Sequence, residues 1–465
     1  MKRFGLGFLM LLSALLTNSF AFPSAELQAL WDIDQEKVDT VILRTYQKEN
    51  ITVKELCYFS REYAGSPSRI FGYYCYPSQS KKPLPAILLV HGGGGSANLG
   101  NTIEWAKRGY VVMSIDLPGK GDQRANSRST GPDMTVPALL CTSPSPVHNY
   151  LIFAVAATRN AITCLTQQEE VDPERIGMVG LSWGGVITLL TNGQDKRLKT
   201  AVNIFGAGYI PEGCTWQKRF DNKSEADLQK WYTYLDPKNF LESQHAPILF
   251  VTGTNDHCYY LPTFQKSYAK VNVPKKIYLV PNLRHQFRFD TQKVVWQWLD
   301  NKLKAAEDFP EINLLQAFKR NEKLIIPVTV QSSCKVEKVV LYYAQGSPSR
   351  FTKRVWTALA AYYEDGVYYF GLKPELIAPE MMFYITAFDE KNGASSTPVS
   401  SVFTVNLGES KKTFALSSPI DRINSHGKPL RIIGISNLDN SAWINFSKKD
   451  NSYYLIEGKS KLDES

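Results

Sequence analysis

The 465-residue chain carries a formal net charge of +9, from 53 Lys and Arg against 44 Asp and Glu, and 43% of its residues are hydrophobic. At about 100 to 200 residues per domain, this length predicts two or three domains with cores of ordinary size. The sequence contains no basic run of five or more residues and no nucleic-acid-binding motif. The charge therefore indicates a solvated basic surface, and we predict no nucleic-acid partner.

The N-terminus has the pattern of a secretory signal peptide. Lys2 and Arg3 precede an apolar run over Phe4–Leu16, and the small-x-small triplet Ser19-Phe20-Ala21 follows. The apolar run is too short to cross about 30 Å of hydrocarbon, and no later stretch is long and apolar enough to do so. We predict a signal peptide over residues 1–21 and a secreted or periplasmic protein with no integral membrane segment.

Short apolar runs alternate with longer helical stretches from Leu84 to Lys304. This alternation predicts an α/β domain over residues 22–308, with a doubly wound, mostly parallel sheet and two antiparallel hairpin strands at its edge before Leu84. A long connection over about 205–246 is rich in aromatic residues, and we predict a helical cap there. The apolar runs are Ala86–Val90, Val111–Ile115, Ile176–Val179, Ala201–Ile204, Ile248–Val251 and Ile277–Val280.

Export makes disulfides possible among the seven cysteines. Cys57 and Cys75 stand equally far from Ser66, which lies within a turn-like stretch between two strand-like segments. A hairpin centred on Ser66 would place these cysteines opposite one another. We therefore predict that they are bridged or directly adjacent.

The pattern changes after Phe309, where strand-like runs are separated by turn signals and no helical period is evident. These strands predict an all-β sandwich of fibronectin-III or immunoglobulin type over residues 309–408. The polar tail over residues 409–465 either completes the sandwich or forms an appendage.

The most informative motif is Gly180-Leu181-Ser182-Trp183-Gly184-Gly185, directly after the run Ile176–Val179. A serine between glycines, at a turn from a buried strand to a helix, is typical of a nucleophile elbow, which exposes the hydroxyl at the end of a sheet. The glycines are needed because a tight turn brings two backbones together. We predict Ser182 as a catalytic nucleophile.

A serine hydroxyl requires a general base and a group that orients this base. Asp256 follows the strand-like run Ile248–Val251, and His285 follows Ile277–Val280. Ligands bind beyond the carboxyl ends of strands in a doubly wound sheet, and the chain order Ser, Asp, His is that of α/β-hydrolases. We predict Asp256 and His285 as the other two catalytic residues.

The strand-like run Ala86–Val90 ends in His91-Gly92-Gly93-Gly94-Gly95. Bare glycines allow backbone N–H groups to face a developing oxyanion, and we predict the N–H of Gly93 or Gly94 as one donor. The other predicted donor is the N–H of Trp183, immediately after the nucleophile.

A metal site is the alternative use of the segment around Asp256, since His257 and Cys258 adjoin it. No second ligand pair stands at metal spacing, and we predict neither a metal nor a cofactor. Tyr259 and Tyr260 follow directly, and we predict that they line the substrate pocket.

The chain resembles the acetyl xylan esterase, dienelactone hydrolase and prolyl oligopeptidase branch of the α/β-hydrolases. The resemblance rests on 171–177 leading into the elbow, and the stretches 69–95 and 236–287 are similar to the acetyl xylan esterase-like members. It implies an α/β-hydrolase fold and a Ser-His-Asp triad over roughly residues 55–304.

The sequence also departs from these relatives. Carbohydrate esterases of this type usually carry Arg-Gly-Gln after the strand that here ends at Asp116, whereas this chain has the sequence Gly-Lys-Gly-Asp-Gln-Arg at 119–124. Dienelactone hydrolases use cysteine where this chain has Ser182. The strand-rich part after the hydrolase domain is similar to that of PhoPQ-activated pathogenicity-related proteins.

Residues and resemblance together predict a secreted serine carboxylic ester hydrolase that acts on a small-molecule or carbohydrate ester. One alternative is a serine exopeptidase of prolyl oligopeptidase type, although only about 60 residues precede the sheet, too few for that family's propeller domain. Another is a surface-binding protein with a vestigial hydrolase domain, in which the C-terminal domain contacts glycan or a cell surface.

Overall fold

The computed structural model describes residues 25–33, 37–80, 83–120, 127–345, 352–377, 380–406, 412–417, 432–438, 441–446 and 454–455. The predicted signal peptide over residues 1–21 lies outside these ranges. No helix in the described part of the chain is long and apolar enough to cross a membrane.

A nine-stranded sheet forms the centre of the first part of the chain, in the order β1-β2-β3-β5-β4-β6-β7-β8-β9. The neighbours from β5 to β9 are parallel, whereas β1, β2, β3 and β5 pair antiparallel. The strands are β1 (Thr40–Lys48), β2 (Ile51–Tyr63), β3 (Ser66–Pro77), β4 (Leu84–Val90), β5 (Val111–Ile115), β6 (Val171–Leu181), β7 (Leu198–Ile204), β8 (Ile248–Gly253) and β9 (Lys275–Val280).

Helices cover both faces of this sheet, as the prediction of a doubly wound fold requires. The helix that contains Trp105 contacts the last of these helices, where the rings of Trp105 and Trp296 make an edge contact with centroids 6.1 Å apart. The helices are α1 (Ala25–Trp31), α2 (Leu99–Ala106), α3 (Val136–Leu140), α4 (Tyr150–Thr166), α5 (Trp183–Asn192), α6 (Gln217–Asp221), α7 (Glu225–Tyr234), α8 (Leu261–Lys270) and α9 (Phe289–Lys304).

The antiparallel edge contains one strand more than predicted, because β1 precedes the β2–β3 hairpin. Most side chains of β1 are exposed. A half-buried strand is recognised by the alternation of apolar and polar residues. An exposed edge strand lacks this alternation, so it is difficult to predict from the sequence.

The predicted pairing of Cys57 with Cys75 is wrong. The hairpin turns at Ala64 and Gly65, which both have positive φ, and not at Ser66. This shifted centre pairs Cys57 with Phe71 and Cys75 with Val53. Both cysteines are buried free thiols.

The connection after β7 contains α6 and α7, together with short 3-10 turns over Ile210–Glu212 and Pro237–Phe240. Phe220 and Trp231 of these helices are fully buried against one another, with ring centroids 5.2 Å apart. Asp236 joins the two ends of this connection, because its buried carboxylate accepts hydrogen bonds from the N–H groups of Tyr209 and Ile210 at 2.7 and 2.9 Å. Phe220 and Trp231 therefore belong to the hydrophobic core of this part of the chain.

The chain after residue 309 forms two further antiparallel sheets whose facing sides share a separate buried core. Leu324 and Phe370 of one sheet contribute to this core together with Leu341 and Phe383 of the other. The elements are β10 (Glu311–Leu314), β11 (Phe318–Arg320), β12 (Lys323–Gln331), β13 (Val336–Gln345), β14 (Thr357–Ala360), β15 (Tyr362–Glu364), β16 (Val367–Leu372), α10 (Pro374–Ile377), β17 (Glu380–Asp389), β18 (Ala394–Ser396) and β19 (Ser400–Asn406).

Strands also occur within the predicted tail. One of them, β20 (Lys412–Ser417), pairs with β19 and with β23 (Tyr454–Leu455), while β21 (Ile432–Leu438) and β22 (Ser441–Phe446) form a separate hairpin. The second of the two C-terminal sheets thus extends beyond residue 408.

Candidate active site

Ser182 occupies a sharp turn between β6 and α5. Its backbone has φ 59° and ψ −118°, a conformation that a non-glycine residue adopts only under local constraint. A Cβ on Gly180 would lie 2.0 Å from the carbonyl oxygen of Gly184, so only glycine fits at this turn. The strained serine and the close approach are the features of a nucleophile elbow.

Asp256 follows β8 and is almost fully buried. Its Oδ1 accepts hydrogen bonds from the backbone N–H groups of Cys258 at 2.7 Å and Tyr259 at 3.1 Å. These two donors fix the carboxylate and leave Oδ2 directed at His285.

His285 joins the acid to the serine. Its Nδ1 lies 2.8 Å from Asp256 Oδ2, and its Nε2 lies 2.8 Å from Ser182 Oγ. A carboxylate only accepts hydrogen bonds, so in the neutral imidazole Nδ1 carries the proton and Nε2 is free to accept the serine hydroxyl. The structure brings together, in one hydrogen-bonded line, the three residues predicted from separate strand ends.

The surroundings of His285 control its protonation. Burial disfavours the charged imidazolium, but the hydrogen bond to Asp256 and the neighbouring Cys258 outweigh this effect and raise the pKa of His285 to about 9. The ring of Phe205 packs on the imidazole with centroids 4.7 Å apart. Phe205 follows β7 directly and has a positive φ of 69°, and no pattern in the sequence marks its position beside His285.

The glycine loop after β4 lies directly beside the elbow. A Cβ on Gly92 would lie 2.9 Å from Ser182 Cβ, and one on Gly93 would lie 3.3 Å from the Trp183 ring. Gly92 was not among the predicted site residues, because the sequence does not reveal which glycine of a run makes the closest approach. Gly94 has a φ of 73°, the left-handed conformation with which this loop turns.

His91 shapes this loop. The N–H of Leu117 donates to His91 Nε2 at 3.0 Å, so Nδ1 carries the proton and donates to the carbonyl oxygen of Gly92 at 2.7 Å. Trp183 is the first residue of α5, where a helix leaves its N–H without an intrahelical acceptor. The predicted donors Trp183, Gly93 and Gly94 therefore lie on segments adjacent to Ser182.

Aromatic rings stand next to the nucleophile. Trp183 contacts Trp216 of the connection after β7 with centroids 4.9 Å apart, and Tyr259 contacts Trp183 and Trp216 at 5.9 and 5.5 Å. Tyr259 also lies 6.0 Å from the ring of His285. The contacts described for Tyr260 lead instead to Gly213 and Thr263.

Potential ligand atoms of Asp256, Cys258 and His285 lie within 4.8 Å of one another. The metal alternative weighed from the sequence combined Asp256 with His257 and Cys258, whereas the structure groups Asp256 and Cys258 with His285. The facing atoms of Asp256 and His285 are those that hydrogen-bond to each other, so the group coincides with the Ser182 site.

A segment of the C-terminal part touches the loops that carry the acid and the base. Asn255, next to Asp256, donates its side-chain amide to the carbonyl oxygen of Arg354 at 2.7 Å. Asn282, three residues before His285, donates to the carbonyl oxygen of Trp356 at 2.8 Å. Side-chain amides in turns are common in any sequence, so nothing marked these two asparagines in advance.

A mostly parallel, doubly wound sheet with a serine elbow after β6, an acid after β8 and a histidine after β9 defines an α/β-hydrolase. The chain belongs to the acetyl xylan esterase (AXE1) family, whose model matches residues 21–302, more than half of the chain. This match confirms the resemblance predicted from the sequence.

Among curated proteins, the chain is 22% identical over 297 residues to the acetyl esterase Axe7A of Xylanibacter ruminicola, covering 60% of this chain and 67% of that protein. It is 26% identical over 186 residues to the hydrolase YtaP of Bacillus subtilis, covering 37% and 58%. A third match is the acylamino-acid-releasing enzyme of Rattus norvegicus, at 24% over 226 residues, 44% of this chain and 29% of that protein. The chain thus spans little more than half of the Bacillus protein.

Two solved structures have a similar fold. The acetyl xylan esterase from Paenibacillus sp. R4 has a TM-score of 0.51 at 20% identity, covering 60% of this chain and 92% of that chain. Acetyl xylan esterase 1 from Thermoanaerobacterium sp. JW/SL YS485 also has a TM-score of 0.51, at 16% identity, covering 60% and 94%.

Proposed function

We propose that this protein is an exported serine esterase that cleaves short acyl groups, acetyl above all, from carbohydrate or small-molecule esters. The observation that carries the proposal is the unbroken line from Ser182 Oγ through the imidazole of His285 to Asp256, with both hydrogen bonds at 2.8 Å. Membership of the acetyl xylan esterase family supports the acyl class.

The geometry accounts for each step of acyl transfer. His285 Nε2 takes the proton of Ser182 as its oxygen attacks the ester carbonyl, and then returns this proton to the leaving alcohol. Asp256 holds the imidazole in the required tautomer and stabilises the imidazolium. A water molecule then hydrolyses the acyl-enzyme with His285 again as the base.

The oxyanion formed in this reaction lies next to Ser182, where the N–H of Trp183 and that of Gly93 or Gly94 are the proposed donors. Loss of one such donor typically costs about 3 to 4 kcal/mol in the transition state. No residue of this scheme needs a cofactor.

The assay that tests the proposal uses p-nitrophenyl acetate, an acetylated xylo-oligosaccharide and a Gly-Pro anilide, each with the wild type and with Ser182→Ala. We expect Ser182-dependent release of acetate from the first two substrates. Cleavage of the anilide without ester turnover would overturn the esterase proposal.

A serine exopeptidase is the second candidate, and it is favoured by the match to the acylamino-acid-releasing enzyme. The same three residues would perform that reaction, because amide and ester hydrolysis share the acyl-enzyme. The anilide in the assay separates the two candidates.

For the C-terminal part, we propose a sandwich of fibronectin-III or immunoglobulin type that contacts glycan. The two sheets with a shared core support the sandwich, and Tyr362 and Tyr363 on β15 support the contact, since they are 64% and 58% exposed. Retention on insoluble xylan should fall in the double variant Tyr362→Ala/Tyr363→Ala, while p-nitrophenyl acetate turnover stays unchanged. Equal retention would contradict the contact.

A further inference from the structure

Tyr259 carries a buried hydroxyl group next to Ser182 that makes no hydrogen bond of regular geometry. The residue is 0% exposed, and its hydroxyl makes no hydrogen bond of regular geometry in the described part of the chain, although it lies close enough to interact with the side chain of Ser182. An unpaired buried hydroxyl costs free energy, so such a group invites a functional explanation.

The hydroxyl faces the nucleophile. The phenol interacts with the side chain of Ser182, and its ring lies between Trp183 and His285, with centroid distances of 5.9 and 6.0 Å. It therefore borders the position at which the substrate carbonyl must lie for attack.

Tyr259 is also held firmly. Its N–H donates to Asp256 Oδ1 at 3.1 Å, and its backbone forms an antiparallel bridge with Cys214. The same carboxylate thus fixes His285 on one side and the backbone of Tyr259 on the other. A donor that is fixed before the reaction does not need to reorganise as charge develops.

We propose that the Tyr259 hydroxyl donates a hydrogen bond to the substrate oxygen that becomes negatively charged when Ser182 attacks. The hydroxyl would act as a side-chain oxyanion donor beside the backbone N–H groups. This inference rests on the proposed function of Ser182. No proton is transferred from Tyr259, which remains a neutral donor throughout because burial raises the pKa of its hydroxyl well above the usual range.

The alternative is that Tyr259 only fills space among the aromatic rings. The two roles make opposite predictions for Tyr259→Phe, which removes the hydroxyl and keeps the ring. If Tyr259 only fills space, kcat should be unchanged in Tyr259→Phe. If its hydroxyl donates to the oxyanion, kcat should fall. In both cases stability should be unchanged or higher, since the removed hydroxyl is buried without a hydrogen bond of regular geometry.

Tyr384→Phe is the matched control. Tyr384 is likewise fully buried with an unpartnered hydroxyl, but it lies on β17 and stacks on Tyr342. Both variants delete one buried phenol oxygen that makes no regular hydrogen bond, and only the oxygen of Tyr259 interacts with Ser182.

The experiment compares wild type, Tyr259→Phe and Tyr384→Phe in p-nitrophenyl acetate kinetics, thermal melting and inhibition by phenylboronic acid, which forms a tetrahedral adduct on an active serine. For Tyr259→Phe we expect kcat to fall by about 10- to 100-fold, KM to change less than threefold, and boronate affinity to fall in parallel with kcat/KM. Tyr384→Phe should match the wild type in all kinetic values.

Wild-type kcat and boronate affinity in Tyr259→Phe would overturn the proposal, and so would a loss confined to KM. A fall in kcat accompanied by a lower melting temperature would also count against it, because the loss would then be structural. Failure of the proposed function is distinguishable, since it would appear as unchanged ester turnover in Ser182→Ala.

Discussion

Asn282 and Trp356 exchange two hydrogen bonds, both 2.8 Å long, between the loop that carries His285 and the chain after β13. The side-chain amide of Asn282 donates to the Trp356 carbonyl oxygen, and the Trp356 N–H donates to Asn282 Oδ1. Trp356 is itself buried in the core of the hydrolase sheet. The C-terminal part therefore helps to fix the histidine loop.

Replacing Asn282 by glycine should break this contact while retaining the left-handed backbone, since Asn282 has a φ of 59°. We expect kcat/KM for p-nitrophenyl acetate to fall by about 10- to 100-fold, because small misplacements of a catalytic group are costly. Asn392→Gly is the matched control, since Asn392 has a φ of 71° in a turn after β17. Equal activity in both variants would show that the contact does not position His285.

Removing either partner of Ser182 should nearly abolish turnover. We expect His285→Ala and Asp256→Asn each to lower kcat by at least about 10³-fold, because the serine loses its base or the base loses its tautomer. His245→Ala serves as control, since His245 precedes β8 at the opposite end of that strand from Asp256. Retention of most activity by Asp256→Asn would mean that another acid orients the histidine.

The pH profile should reflect the raised pKa of His285. Only the neutral imidazole accepts the serine proton, so kcat/KM should rise with pH through the pKa of about 9. In Asp256→Asn the residual activity should rise at lower pH, because the group that favours the imidazolium is gone. If kcat/KM of the wild type instead rises and levels off below pH 7, the pKa of His285 is not raised, and this would contradict the environment assigned to it.

All seven cysteines are free in this structure. Denatured protein that has not been reduced should therefore bind seven equivalents of a thiol reagent, as measured by mass spectrometry. If only five equivalents bind and Cys57 and Cys75 are unlabelled, these two cysteines form a disulfide, which would contradict the hairpin register.

The sequence was sufficient to predict that Ser182, Asp256 and His285 lie together, because each follows a buried parallel strand. In a doubly wound sheet the carboxyl ends of such strands lie along one edge. Residues that directly follow these strands are therefore close together in space. The same logic predicted the parallel part of the sheet.

What the sequence could not supply depends on register and on tertiary contact. The hairpin turns at Ala64 and Gly65, and its register shifts between Ser60 and Glu62, so Cys57 does not lie opposite Cys75. The Asn282–Trp356 contact joins segments more than seventy residues apart, and the isolation of the Tyr259 hydroxyl depends on every group around it. None of these properties has a local signature in the sequence.

Covalent trapping tests the central claim most directly. The intact protein is treated with a fluorophosphonate, digested, and examined by mass spectrometry to locate the adduct. We predict a single phosphonylated residue, Ser182, with esterase activity lost in proportion to labelling and with no adduct in Ser182→Ala. Labelling of a different residue, or full activity after stoichiometric labelling of Ser182, would contradict the account.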